Sequence, residues 1–205
     1  MPDLLIASEN PGKLIEIQAI LGEMPIHLVM PASLGLRLGV AETGETYAEN
    51  AALKARAYAQ AGQLLALGDD SGLEVAALDG RPGLHSHRFT GNPDATDADR
   101  RTYLLSKLAG KPLADGQPGW PAVFHCAVAI VTPQGDLRLA AGACPGFIIP
   151  EERGTGGFGY DPLFLIPEYG QTMAELGPDV KNRISHRARA LQAAIPILRE
   201  MLNIA

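Results

Sequence analysis

Two adjacent carboxylates, Asp69 and Asp70, stand at the end of an apolar run, Leu64-Leu65-Ala66-Leu67, and are followed by Ser71 and Gly72. Carboxylates in such a place are costly to bury unless they bind a cation or meet donors. Successive strand side chains point to opposite faces, so one of the two is expected to face a ligand directly. An Asp-Ser-Gly turn is the plainer alternative, since these residue types also favour turns. A further carboxylate, Glu42, opens Glu42-Thr43-Gly44-Glu45-Thr46. Oxygen ligation by Glu and Asp, with phosphate oxygens and water completing the shell, is what Mg²⁺ prefers.

A second chemistry is anion binding. Ser8, Glu9, Asn10, Pro11, Gly12 and Lys13 leave an apolar segment and open a helix, where backbone N–H groups and the helix dipole favour phosphate. Gly12 permits close approach and Lys13 adds a positive charge; a capped helix with a solvated lysine is the alternative. The spacing is not that of a Walker A loop. Lys54 is either solvated or turned toward a phosphate. Between Gly154 and Gly159 stand four glycines, with Phe158, Tyr160 and Asp161 among and after them, which suggests a flexible lip with a stacking surface. An irregular loop with core-packed aromatics would read the same way. Lys181 and Ser185-His186-Arg187 set basic groups at the start of the last helix, where positive charge is disfavoured unless an anion or carbonyl meets it.

The elements that must position these groups follow from periodicity and caps. Leu4 to Ala7 reads as a strand buried on both faces. A helix follows from Pro11, with Asn10 as N-cap and Gly22 near its end. Ile26 to Met30 is a second strand. Thr46 and Glu49 have capping-box spacing for an Ala-rich helix from Tyr47 to Ala61. Leu73 to Leu78 is strand-like, and Asp97 to Ala109 a third helix. Ala122 to Thr132 and Asp136 to Ile149 form a hairpin about Pro133-Gln134-Gly135. Pro162 to Ile166 is a short strand, and Ser185 to Asn203 a helix bent at Pro196. This order of elements is that of an α/β fold with a mixed sheet.

Composition narrows the partners. The chain has 205 residues, 17 Lys+Arg against 23 Asp+Glu and a formal charge of −6, which argues against binding along a nucleic-acid backbone. Hydrophobic residues make up 46%, ordinary for a globular chain. Cys126 and Cys144 have neither CxxC nor paired-His spacing, so a zinc site is unsupported and two buried thiols are expected. No apolar run reaches the roughly 20 residues of a membrane span, and no secretory signal opens the chain. A cytoplasmic location is the expectation, with no membrane and no nucleic acid as partner.

Read in order, Ser-x-Asn-x-x-Lys from Ser8, Glu-Thr-Gly-x-Thr-x-x-Glu-Asn-Ala-x-x-Lys-Ala from Glu42, Asp-Asp-Ser-Gly-Leu from Asp69, Gly-Thr-Gly-Gly-Phe-Gly-Tyr-Asp-Pro from Gly154 and Ile-Ser-His-Arg from Ile184 resemble the inosine/xanthosine triphosphate pyrophosphatase family of non-standard purine NTP pyrophosphatases. The resemblance covers about residues 4 to 200, and five ordered motifs are specific where one would not be. It implies a single domain over residues 1–205, an elongated mixed β-sheet flanked by helices, two lobes with a central cleft, and a homodimer. The activity implied is Mg²⁺-dependent hydrolysis of ITP, dITP and XTP to monophosphate and pyrophosphate, removing deaminated purines from the nucleotide pool. Carried over by position, Ser8 to Lys13 bind the triphosphate, and Glu42 and Asp70 hold the metal. Asp70 also acts as general base, with Asp69 supporting the metal and Lys54 the phosphates. Ser71, Phe158, Gly159, Tyr160, Asp161, Lys181, His186 and Arg187 correspond to substrate-binding positions, the last two suited to the 6-oxo group of hypoxanthine and xanthine. Ala41 stands where many relatives have another Glu, and His85 and His87 have no role in the motif set. Two alternatives remain: a related pyrophosphatase for modified pyrimidine or methylated nucleotides, or a nucleotide sensor without turnover.

Overall fold

The computed structural model describes residues 1–204, with Ala205 outside the described residues. In chain order the elements are β1 Asp3–Ile6, α1 Pro11–Leu21, β2 His27–Val29, α2 Tyr47–Gly62, β3 Ala66–Val75, β4 Pro82–Gly83, α3 Asp97–Leu108, β5 Trp120–Val131, β6 Leu137–Ile148, β7 Phe164–Ile166, β8 Gln171–Thr172, α4 Pro178–Ile184 and α5 His186–Leu202. The eight strands form one mixed sheet in the order β2-β1-β3-β5-β6-β7-β8, with β4 paired to β3. β1 is parallel to both β2 and β3, whereas β3–β4, β6–β7 and β7–β8 are antiparallel. The α/β class with a mixed sheet is as the element order predicts.

The described chain forms two compact units. The first holds Met1–Ser71, Cys126–Gly142 and residues 186–204; the second holds Gly72–His125 and Ala143–Ser185.

In the first unit the strands are buried on both faces, which is why β1 reads as a continuous apolar run. Leu4 and Ile6 share one core with Leu67, Cys126, Val128 and Ile130 and with residues of α1 and α5. Leu5 and Ala7 share the other with Ala66, Ala127, Ala129 and Val131 and with the alanine face of α2. Helix α2 forms as its signature predicts: Thr46 Oγ1 accepts from the Glu49 N–H at 3.1 Å, and Glu49 Oε2 accepts from the Thr46 N–H at 3.1 Å. The small alanine face lets a strand approach closely. A Cβ on Gly68 would lie 2.6 Å from the Ala51 carbonyl oxygen and 2.9 Å from the Ala55 nitrogen, so β3 meets α2 there only as glycine.

In the second unit, Leu73, Val75, Phe124, Cys144, Ile148, Phe164 and Ile166 form the core together with Leu104 and Leu108 of α3. Helix α3 is capped by Thr96, whose Oγ1 accepts from the Asp99 N–H at 3.2 Å, a second capping box.

Two sequence expectations differ from the structure. The acidic pair does not interrupt a strand: β3 runs unbroken through Asp69 and Asp70 for ten residues, because each carboxylate finds cations on its own face. Lys181 is not on the last helix but on the separate α4, which begins at Pro178. The last helix runs through Pro196 to Leu202, as expected.

Candidate active site

The register of β1 against β3 pairs Ile6 with Leu67, so Asp69 and Asp70 lie just beyond the carboxyl end of β1, where the loop Ser8–Asn10 departs. Ligands in parallel α/β sheets bind outside the carboxyl ends of the strands. The loop is built by short side-chain bonds. Asn10 Oδ1 accepts from the Lys13 N–H at 3.2 Å, Ser8 Oγ accepts from the Asn10 N–H at 3.3 Å, and Pro11 takes the first helical position. Glu9 is fixed from α2, its Oε1 accepting the Tyr58 hydroxyl at 2.9 Å.

Strand alternation sends the two aspartates to opposite faces of the sheet. Asp69 goes to the face of α1 and α5. It is 2% exposed, and its Oδ2 meets Lys13 Nζ at 3.0 Å and Arg187 Nε at 3.2 Å. Burial alone would raise the Asp69 pKa, but Lys13 and Arg187 outweigh it and hold the carboxyl well below the usual carboxylate range. Arg187, 1% exposed, also donates from Nη1 to Glu16 Oε2 of α1 and from Nη2 to Ser71 Oγ at 3.1 Å. The positive charge at the start of α5 is thus met by the protein's own carboxylates, and Arg187 ties Asp69 and Ser71 of β3 to α1.

Asp70 goes to the face of α2. Its Oδ2 accepts from Asn50 Nδ2 at 3.2 Å, and its Oδ1 pairs with Lys54 Nζ at 3.2 Å. The same ammonium lies 2.9 Å from Glu42 Oε1. Burial raises the Asp70 pKa, and Glu42 nearby adds to it, against the opposing charges of Lys54 and Lys13. For Lys54, burial would lower the pKa, but Asp69, Asp70 and Glu42 together raise it, so its ammonium stays charged.

Glu42 and Asp70 therefore converge on one cation, here the Lys54 ammonium, and a hard divalent ion such as Mg²⁺ takes this donor type. The residues present fit such an ion. Asp69 does not join them: it is enclosed by Lys13 and Arg187 on the other face. Among the described residues no group of three or more His, Cys, Asp or Glu side chains converges.

In the second unit, Asp161 Oδ2 accepts from the Phe158 N–H at 2.9 Å and from Lys181 Nζ at 2.5 Å. The Lys181 ammonium stands 4.9 Å from the Phe158 ring centroid. Gly157 has φ 73°, and a Cβ there would lie 2.0 Å from Asp161 Oδ2, so this residue has to be glycine. Tyr160 is not part of a stacking lip. It is 4% exposed in the core, its hydroxyl donates to the Ser86 carbonyl at 2.8 Å, and burial raises its pKa. Phe158 remains half-buried. His186 opens α5 in the first unit, 6% exposed.

Sequence reasoning missed Glu16, Asn50 and Tyr58. Asn50 had a usable signal: it stands four residues before Lys54, on the same helical face. It is 1% exposed, and its Oδ1 accepts from the Gly44 N–H at 2.8 Å, tying the Glu42 segment to α2. For Glu16 the only cue was its place one turn after Lys13.

The family model described as the Ham1 family matches residues 4–197. A dITP/XTP pyrophosphatase of Desulforamulus reducens is 45% identical over 198 residues, 97% of this chain and 96% of that protein. One of Geobacillus kaustophilus is 44% identical over 191 residues, 93% and 91% of the two chains. Among solved structures, a HAM1 protein of Coxiella burnetii superposes with a TM-score of 0.85 at 39% identity, covering 98% of this chain and 100% of that one. The Ham1 protein of Staphylococcus aureus gives 0.79 at 35% identity, covering 98% of each.

Proposed function

The chain belongs to the Ham1 family, and from that premise we propose that it is a hydrolase cleaving non-standard purine nucleoside triphosphates, dITP, XTP and ITP, to the monophosphate and pyrophosphate. The observation that carries the reading is the convergence of Glu42 and Asp70 on a single cation, beside the loop Ser8–Lys13 at the carboxyl end of β1.

The chain's own groups divide the work. The N-terminal end of α1, with Ser8 to Lys13, attracts the polyphosphate through its backbone N–H groups and dipole. Lys54 lies beside the same carboxylates and supplies charge to the phosphate oxygens. Asp70, with its pKa raised by burial, accepts a proton from water as the water oxygen attacks the α-phosphorus. The α-phosphorus–oxygen bond breaks, and pyrophosphate leaves with the bonding electrons. Glu42 and Asp70 would hold Mg²⁺, whose chemistry when bound is neutralisation of charge on the phosphate oxygens. Asp69 stays ionised and orders β3 between Lys13 and Arg187. Ser71 is held by that same arginine.

For the base, the reading assigns Phe158 as a stacking face and Lys181 as a donor held by Asp161, with Gly159 and His186 as further substrate positions. Donors aimed at a 6-oxo group are left unpaired by adenine, and buried unpaired donors discriminate strongly. Tyr160 and Arg187 act by holding this machinery in place. A homodimer in the cytoplasm belongs to the same reading, and sedimentation tests the dimer. No helix among the described residues is long and apolar enough to cross a membrane.

The deciding experiment is pyrophosphate release from ITP, dITP, XTP, ATP, GTP and pyrimidine triphosphates, with and without Mg²⁺, for the wild type and Asp70→Asn. The 6-oxo substrates should turn over only with Mg²⁺, and Asp70→Asn should lose at least about 100-fold in kcat, the scale of general-base loss, while melting as the wild type does. Wild-type-like turnover by Asp70→Asn, or pyrimidine triphosphates outpacing ITP, would overturn the assignment.

A further inference from the structure

The Gly-rich loop carrying Phe158 and Asp161 is anchored from outside itself, by a helix to which the family motifs assign nothing. Gly159 has its N–H bonded to Asp97 Oδ2 at 2.7 Å and its carbonyl bonded to Arg101 Nη1 at 3.0 Å. Both residues stand on the first turns of α3. The Arg101 guanidinium also meets Glu152 Oε1 at 2.9 Å, at the other end of the same loop. One arginine therefore ties the two ends of the loop together. Gly159 itself has φ 62° and no neighbour within 4 Å of a would-be Cβ, so side-chain packing does not hold it.

A second tether runs through the neighbouring residue. Arg100 pairs with Asp97 Oδ1 at 2.7 Å and donates from Nε to the His87 carbonyl at 2.8 Å. The adjacent Ser86 carbonyl is the acceptor of the Tyr160 hydroxyl. The His85–Arg88 segment thus contributes two backbone carbonyls, those of Ser86 and His87, to the loop's support. Four glycines give this loop a large conformational entropy to lose, and α3 holds it already ordered.

We propose that Asp97 and Arg101 are positioning residues for substrate selection, fixing the loop 154–161 through both backbone groups of Gly159 so that Phe158 and Lys181 are preset for the base. This rests on the reading above that Phe158 contacts the base. Positional errors of an ångström in such groups cost up to about 100-fold. Without the anchor the base is held less well, whereas the polyphosphate groups of the first unit are untouched.

The test uses Arg101→Ala, Arg101→Lys, Phe158→Ala and the double variant Arg101→Ala/Phe158→Ala, each checked by its melting temperature. Arg101→Ala should raise KM for ITP about tenfold or more and lower the ITP-over-ATP preference, with kcat changed less than about threefold, the pattern of lost binding rather than lost chemistry. Inhibition by inorganic tripolyphosphate, which has no base, should be unchanged. Arg101→Lys, which keeps the charge but lacks the planar fork that aims separate donors at Glu152 and Gly159, should fall between Arg101→Ala and the wild type. Since Arg101 acts through the loop, the double variant should be no worse than Phe158→Ala alone. Additive losses, or weaker tripolyphosphate inhibition in step with KM, would overturn the inference by showing a general structural defect. If Phe158→Ala leaves KM unchanged, the base-contact reading has failed; if it raises KM while Arg101→Ala does not, the positioning role alone has failed.

Discussion

Replacing Arg187 by Met separates two accounts of the buried guanidinium. If Arg187 were a spare donor aimed at substrate, its loss would leave stability within about 0.5 kcal/mol and abolish only activity. The structure gives all three nitrogens protein partners, Glu16, Asp69 and Ser71, and leaves the side chain 1% exposed. Removing one partner of a buried ion pair costs about 3–5 kcal/mol, because the remaining charge has no solvent to return to. For a chain of this size each kcal/mol moves the midpoint by about 2–4 °C, so a fall in Tm of roughly 6–20 °C is expected. The loss should depend on pH with a definite sign. The folded Asp69 pKa lies below its unfolded value, so the stability it contributes is present above the unfolded pKa and is lost as pH falls toward the folded one. Without Arg187 the Asp69 pKa rises toward ordinary, and the gap between variant and wild type should narrow below roughly pH 4. Urea unfolding of Arg187→Met, Glu16→Gln and the double variant from pH 3 to 8 measures both effects, with a coupling of about 0.5–3 kcal/mol expected between the two sites. A variant that melts with the wild type at neutral pH would refute the locking role and restore the direct contact with substrate.

Gly68→Ala should lower stability by about 1–3 kcal/mol, the usual cost of overpacking, and should reduce pyrophosphate release by moving Asp70 off Lys54. An unchanged melting curve would mean that β3 and α2 can separate freely, contrary to the contacts of 2.6 and 2.9 Å that a Cβ would make. The Cys126 thiol, 2% exposed and pushed up to about 12 by burial and by Asp69, should resist iodoacetamide until the chain unfolds. Peptide mass spectrometry after alkylation reads this, and rapid labelling of Cys126 in the native protein would contradict its enclosure.

Local signals were legible where a residue's partner is close in sequence. Asn10, Thr46 and Thr96 cap helices within three residues, and β1 shows its two-sided burial as an unbroken apolar run. What could not be read was pairing across long separations. Nothing about Glu16 points to Arg187, 171 residues away, nor does Ser86 point to Tyr160. The acidic pair hid the continuity of β3, because single-sequence reasoning prices carboxylates in a strand as a break when their cations come from elsewhere. Helix α4 was invisible for another reason: seven residues beginning at Pro178 carry too little periodicity to stand apart from the helix that follows. The Ser86–His87 stretch resisted interpretation because its carbonyls accept from Tyr160 and Arg100, and residue type carries no record of a carbonyl's partner.

The acidic pair shows how neighbouring residues of one type acquire different chemistry. Alternation along β3 delivers Asp69 to two cations and Asp70 to a lysine already shared with Glu42. Their pKa values consequently move in opposite directions, Asp69 down and Asp70 up. Two titratable groups pushed apart in this way divide acid–base roles, since a carboxylate held far below its usual range is too weak a base to take a proton near neutral pH. Asp69 is therefore suited to be a fixed anion, and in the proposed hydrolysis the proton passes to Asp70. The arrangement depends on the strand staying in register: a slip of one residue would exchange the faces, placing Asp70 among Lys13 and Arg187 and leaving Lys54 and Glu42 without the aspartate. Arg187, by binding Glu16 of α1 together with Asp69 and Ser71 of β3, opposes that slip and so keeps each aspartate on its own face.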